Sequence, residues 1–332
     1  MPSRRCGRCG GYENFLEAIR KPAHPEHDEY LAWIGGEFNP ETFDLYKVND
    51  RLRQMGRGRS TERMNPWLSD MEHPVAIKLE EAVAWAGQLT VEQVNICENL
   101  PLRRNVLAML TYLKNNRVTG TTSTGNFPLK AVHAIATQFV EPPQLIEKIG
   151  DHEYPIRGEY ELWPLHFLHI LASVAGLIQG GIGRRWKLTQ VGELFLTLPA
   201  SDQIWILFTT WWRRVNWEVA SPVEIRGGVD ARFTNLARKR LSALSVDNSV
   251  AFEYFADQLI GDTGLSWPIE DQSYARISLR EVIEKMVAEP LGNFGVLMLE
   301  HTMIKGSYRD RYELMALRLT PLGIRLLESV KD

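Results

Sequence analysis

Residues Gly180–Trp217 read GGIGRRWKLTQVGELFLTLPASDQIWILFTTWWRRVNW, and the rest of the chain leads into this stretch or repeats it. A glycine-rich turn ends in Arg184 and Arg185, a short strand runs from Trp186 to Leu188, and Thr189-Gln190-Val191-Gly192 opens an apolar helix. A hydroxyl three residues ahead of a glycine suits a strand-to-helix corner, because Thr189 can cap free amides and Gly192 tolerates close packing. Near the C-terminus, Leu317-Arg318-Leu319-Thr320-Pro321-Leu322-Gly323 repeats the strand and the Leu-Thr-x-x-Gly corner, and an apolar helix again follows through Leu327. Two such corners, each behind a hairpin-like stretch with cations at its tip, point to an internal duplication.

The segments ahead of the first corner extend the argument. Leu102 to Lys114 carries Val106, Leu107, Leu110 and Leu113 at helical spacing, and Val118 to Thr122 is a β-branched strand. Phe127 to Phe139 and Leu162 to Ala175 read as helices with a loop from Glu141 to Tyr160 between them, and Leu177 to Gln179 pairs with Trp186 to Leu188. In this order the chain resembles winged-helix DNA-binding domains such as MarR-type and PadR-type repressors, where a three-helix core ends in a two-stranded wing. The resemblance implies two tandem copies, at residues 101–198 and 199–332. The expected fold is mostly α with small β-hairpins: tandem winged-helix-like domains behind a short N-terminal helical tail.

A DNA-reading third helix should present arginine, lysine, asparagine or glutamine to base edges. Leu162 to Ala175 offers only His166, His169 and Ser173 and is apolar on most sides, so it is expected to be buried, with its histidines in a core or interface. In the second copy Ile204, Leu207, Phe208 and Trp211 read as the first helix. Ala231 to Leu244 turns Phe233, Leu236, Leu241 and Leu244 inward and Arg238, Lys239 and Arg240 outward. Ile277 to Ala288 reads as a helix begun at Ser278 with Glu281 as its capping-box partner. Val296 to Leu299 then pairs with Leu314 to Leu319 around a tip that holds Lys305, Arg309, Arg311 and Tyr312.

The candidate nucleic-acid-binding residues are Arg184 and Arg185 on the first wing, Arg232, Arg238, Lys239 and Arg240 on the basic helix, and Lys305, Arg309 and Arg311 on the second wing. Cations at wing tips can clamp phosphates and supply sequence-independent affinity. The same charges also suit a solvated hairpin protected against edge pairing.

The N-terminal 1–55 segment forms a separate tail. From Cys9 to about Asn49, the ordered set Cys-Gly-Gly-Tyr-Glu, Phe-Leu-Glu-Ala, His-Pro-Glu-His, Tyr-Leu-x-Trp and Gly-Gly-x-Phe-x-Pro-Glu-x-Phe-Asp resembles the C-terminal end of the plasmid ORF-3-like family. The resemblance implies a prokaryotic mobile-element or defence setting, with the tail either a retained docking element or the remnant of a longer fusion. It supplies no catalytic residues. Cys6, Cys9, His24 and His27 have the types and order of a zinc set, but the two-residue gap between the histidines is short and Pro22 and Pro25 crowd the turn, so zinc is expected below one per chain. Residues 56–74 read as a polar linker, and 75–100 as two covering helices, the second capped by Thr90 with Gln93.

Composition bounds these readings. A chain of 332 residues with 44% hydrophobic and 24% charged residues has the make-up of a globular protein able to bury two or three cores. A net charge of -3 excludes a uniformly basic nucleic-acid coat, so any such binding must use local patches. No apolar run reaches the ~18 residues of a membrane span, the first residues lack a signal-peptide core, and three cysteines make no disulfide framework; a cytoplasmic protein is expected. No phosphate loop, nucleophile elbow or metalloprotease signature occurs, and the chain is expected to be no enzyme. Two functions remain: a non-enzymatic, mainly sequence-independent DNA-binding accessory or regulatory protein, or a protein-interaction scaffold whose Trp205, Trp211, Trp212 and Trp217 line contacts. The expected partner is double-stranded DNA or a protein, without a membrane; the sequence leaves a small-molecule ligand open.

Overall fold

The computed structural model describes residues 18, 21–25, 27, 78–149, 152–218, 220–223, 229, 232–267, 271–305 and 311–331. Residues 1–63 and 64–332 form separate compact units, and nearly all described residues belong to the second. In the first unit, the His27 Nδ1 lies 2.8 Å from the Ala18 carbonyl oxygen.

The second unit is mixed α/β, with the described residues about 54% helix and 15% strand, and has two small antiparallel sheets of three strands. It opens with α1 (Leu79–Ala86) and α2 (Val91–Asn99). Thr90 and Gln93 form the expected capping box: the Gln93 amide donates to Thr90 Oγ1 at 3.3 Å and the Thr90 amide to Gln93 Oε1 at 2.9 Å. Gln93 Nε2 also donates to the Pro321 carbonyl and Trp85 Nε1 to the Arg325 carbonyl, both at 3.0 Å, tying these helices to the end of the chain.

The first repeat runs α3 (Pro101–Asn115), β1 (Val118–Thr119), α4 (Leu129–Ala136), α5 (Trp163–Val174), β4 (Ile178–Gly181), β5 (Arg184–Leu188) and α6 (Gln190–Phe195), with its strands ordered β1-β5-β4. Between α4 and α5 the expected loop contains a hairpin, β2 (Ile146–Ile149) with β3 (His152–Pro155). Its strands are four residues each and β3 is exposed throughout, so neither has the apolar alternation that marks a core strand in sequence.

Next comes α7 (Ala200–Arg214), buried from Ala200 to Trp212 and packed against α1, α2, α3 and α5. Buried Gln203 is satisfied inside: it accepts from Arg103 Nε at 2.5 Å and donates to the Phe195 carbonyl at 2.6 Å. The second repeat follows as α8 (Phe233–Leu241), β6 (Val250–Ala251), α9 (Phe252–Thr263), α10 (Gln272–Ile283), β7 (Leu297–Ile304), β8 (Arg311–Leu319) and α12 (Pro321–Ser329), with strands ordered β6-β8-β7. A π-helical turn, Glu284–Ala288, joins α10 to the short α11 (Glu289–Asn293).

Two expectations change here. The helix that precedes the small first strand is α8, not α7, so the basic helix takes the leading place and α7 is an additional central helix. Secondly, α10 starts at Gln272: Asp271 Oδ1 accepts from the Ser273 and Tyr274 amides at 3.0 and 3.1 Å, whereas Ser278 is buried in mid-helix.

The duplicated corners agree at atomic level. Thr189 Oγ1 accepts from the Gly192 amide at 3.0 Å and donates to the Gly176 carbonyl at 2.6 Å; Thr320 Oγ1 accepts from Gly323 at 2.8 Å and donates to Gly295 at 2.6 Å. A Cβ at Gly192 would overlap the Leu177 carbonyl oxygen, and one at Gly323 the Val296 carbonyl oxygen. Both obstacles are backbone and cannot swing aside. Gly323→Ala should therefore destabilise the protein by about 1–3 kcal/mol, measured as a lower urea midpoint, whereas Gly261→Ala, which meets nothing, should not.

Candidate nucleic-acid interface

The third helix of the first repeat is buried, as its apolar sequence predicts. Every residue of α5 from Leu165 to Ser173 is buried. What holds it is Glu159, in the 3₁₀ turn Glu159–Glu161, which is only 1% exposed. Its Oε1 accepts from His166 Nδ1 at 2.7 Å and His169 Nδ1 at 2.8 Å, and its Oε2 accepts from the Phe127 amide at 2.6 Å. Burial pushes the carboxyl pKa up, but His169 and His166 outweigh it and bring it down to about 2. His169 stacks on Phe127 at 4.0 Å and meets Trp186 edge-on at 4.3 Å, while Trp186 Nε1 donates to the Gly125 carbonyl at 2.7 Å. The histidines are core residues, as expected, and their cluster seats β5 through Trp186.

On β5 the side chains alternate. Trp186 is buried and its neighbours Arg185 and Lys187 are exposed on the opposite face, with Arg184 exposed at the turn. Arg185 pairs across to Thr119 and Lys187 to Gln179, both exposed, so the outer face of this sheet is polar and cationic. Lys187 is a cation that the sequence reading passed over.

The basic helix α8 is less free than expected. Lys239 is exposed, but Arg240 is held by Asp262 of α9 through its Nε and, at 2.7 Å, its Nη2. Arg238 is half-buried with its Nε unsatisfied among the described residues. The outward cluster is thus reduced by burial and pairing. Arg232 is exposed just before α8, and Lys305 is exposed at the end of β7. Arg309 lies outside the described residues, as does the Arg311 side chain.

Sequence reasoning missed the cations of α10. Arg276 and Arg280 stand one turn apart beside Ile277 and Glu281, and both arginines fork onto Asp257 of α9 at 2.8–3.0 Å. Arg280 also reaches Glu253 at 2.5 Å. Hydrogen bonds from Arg280, and then Arg276, hold the Asp257 carboxyl down at about 2 despite partial burial. The available signal was the four-residue spacing of Arg276 and Arg280 together with that of Glu253 and Asp257, visible once α10 is started at Gln272.

The tryptophans assigned to docking are interior. Trp205, Trp211, Trp212 and Trp217 are all buried, Trp211 and Trp217 are stacked at 4.2 Å, and Trp217 Nε1 donates to the Trp211 carbonyl. That correction follows from α7 being surrounded by helices. Among the described residues no group of three or more His, Cys, Asp or Glu is poised for a metal; Cys6 and Cys9 lie outside them. No described helix is long and apolar enough to cross a membrane.

Residues 1–47 match the family described as plasmid pRiA4b ORF-3-like protein, over the stretch where the resemblance was read. No curated protein and no solved structure matches the chain.

Proposed function

We propose that this chain is a non-enzymatic DNA-binding protein of a prokaryotic mobile-element or defence setting, with two winged-helix modules that engage mainly the phosphate backbone. The observation that carries the reading is the repeated order helix, strand, helix, helix, hairpin, with the hairpin's second strand in the middle of each sheet. Sequence-independent binding is supported by where the cations stand. The third helix of the first module is buried, that of the second has its arginines on carboxylates, and exposed cations stand on the first wing and, as Lys239, on α8, positions suited to phosphates rather than to base edges.

Lys239 and Arg240 separate this from a mere count of positive charge. Lys239→Glu should weaken binding to mixed-sequence duplex DNA several-fold in a retardation assay, whereas Arg240→Glu should weaken it less, because Arg240 is already neutralised by Asp262. Equal effects would contradict the assignment. A second reading, the protein-docking scaffold, now rests on different residues from the tryptophans. Tyr274 and Ile277 on α10 and Met298, Met303, Tyr312 and Met315 on the β7-β8 hairpin are exposed apolar side chains. Absence of any retardation at low salt would favour it.

A further inference from the structure

The β7-β8 hairpin is longer than its counterpart β4-β5 and runs past the helices that support it. Leu297, Leu299, His301 and Met303 alternate onto the face that bears Leu314, Leu317 and Leu319. At the base this face is covered, with Leu299 against Gly292 of α11. At the far end Met303 and its cross-strand partner Tyr312 are 52% and 74% exposed. β7 is also the edge strand of its sheet, and among the described residues no backbone group pairs with its outer side. Natural proteins blunt long edge strands with charge, proline or a cover. Over Leu297–Ile304 the only full charge is Glu300, and no proline occurs.

We propose that β7 pairs antiparallel with β7 of a second copy about a two-fold axis at His301. Symmetry restricts the choice. An axis perpendicular to a sheet keeps every side chain on its own face, so only residues of the same parity can lie opposite one another. An axis at Glu300 sets two carboxylates face to face, and one at Thr302 sets Ile304 against Glu300. The axis at His301 places Leu299 beside the partner's Met303, Met298 beside the partner's Ile304 and Glu300 beside the partner's Thr302. Each overhanging Met303 then lies next to the supported base of the other hairpin, and cross-strand apolar pairs form on both faces. The inference is independent of the DNA reading.

Sedimentation equilibrium of the full chain at tens of micromolar should give a dimer, and Met303→Asp, at an exposed site, should weaken it at least tenfold with an unchanged circular dichroism spectrum. Register is read by oxidation in a Cys6→Ser, Cys9→Ser background, since Cys97 is buried. His301→Cys stands opposite its own copy and should form a disulfide-linked dimer, whereas Glu300→Cys should not. A monomer at that concentration, or cross-linking through residue 300 as efficient as through 301, overturns the proposal. A dimer that His301→Cys fails to cross-link does so as well.

Discussion

Glu159→Ala is expected to destabilise the protein by about 3–5 kcal/mol, because it strips a buried carboxylate from two buried histidines and from the Phe127 amide at once. The lost partners have no solvent to turn to: His169 is 0% exposed and His166 is 6%. Glu159→Gln keeps the shape and should cost less. Acid unfolding gives a separate signature. The Glu159 carboxyl is depressed to about 2 in the fold, below the ordinary carboxylate range, so its contribution is complete above about pH 4.5 and is lost as the pH falls toward 2. The wild-type protein should lose stability steeply through that window, and Glu159→Gln should lose it less steeply in urea titrations at matched pH. A variant that unfolds at the wild-type urea midpoint would show that the cluster does not seat α5 and β5.

The second large effect concerns DNA. On the proposed function, reversing Arg185 and Lys187 together should weaken binding to duplex DNA of any sequence by roughly tenfold or more at about 100 mM salt, since two proposed phosphate contacts would be replaced by repulsion. Both side chains point outward from β5 and neither touches the buried Trp186 face, so thermal stability should stay within about 1 kcal/mol of wild type. A loss confined to one DNA sequence would mean base reading by the wing, and no loss would remove the first module from the interface.

Local signals were legible in the sequence. The Thr90-Gln93 box and the Thr189-Gly192 and Thr320-Gly323 corners each close within three residues, so their chemistry is spelled out where it acts. The apolar run of α5 announced its burial. What escaped needed knowledge of neighbours. Glu159 is an ordinary loop glutamate until the fold brings α5 and Phe127 around it. Ser278 and Glu281 imitate a cap because the pattern is the same inside a helix as at its start; only the stronger cap at Asp271 distinguishes them. The charge cluster of α8 looked free because Asp262, which pairs with Arg240, comes from the next helix, α9. The tryptophans of α7 looked available because nothing in sequence shows that helices surround it.

The central claim, phosphate-directed DNA binding by the wings, is tested most directly by fluorescence anisotropy with two unrelated duplexes across a salt series. The account predicts affinities equal within a few-fold for the two sequences, and a linear fall of log K with log salt of roughly tenfold or more between about 50 and 200 mM. Binding that is strongly selective and indifferent to salt, or no binding at about 50 mM, would contradict it.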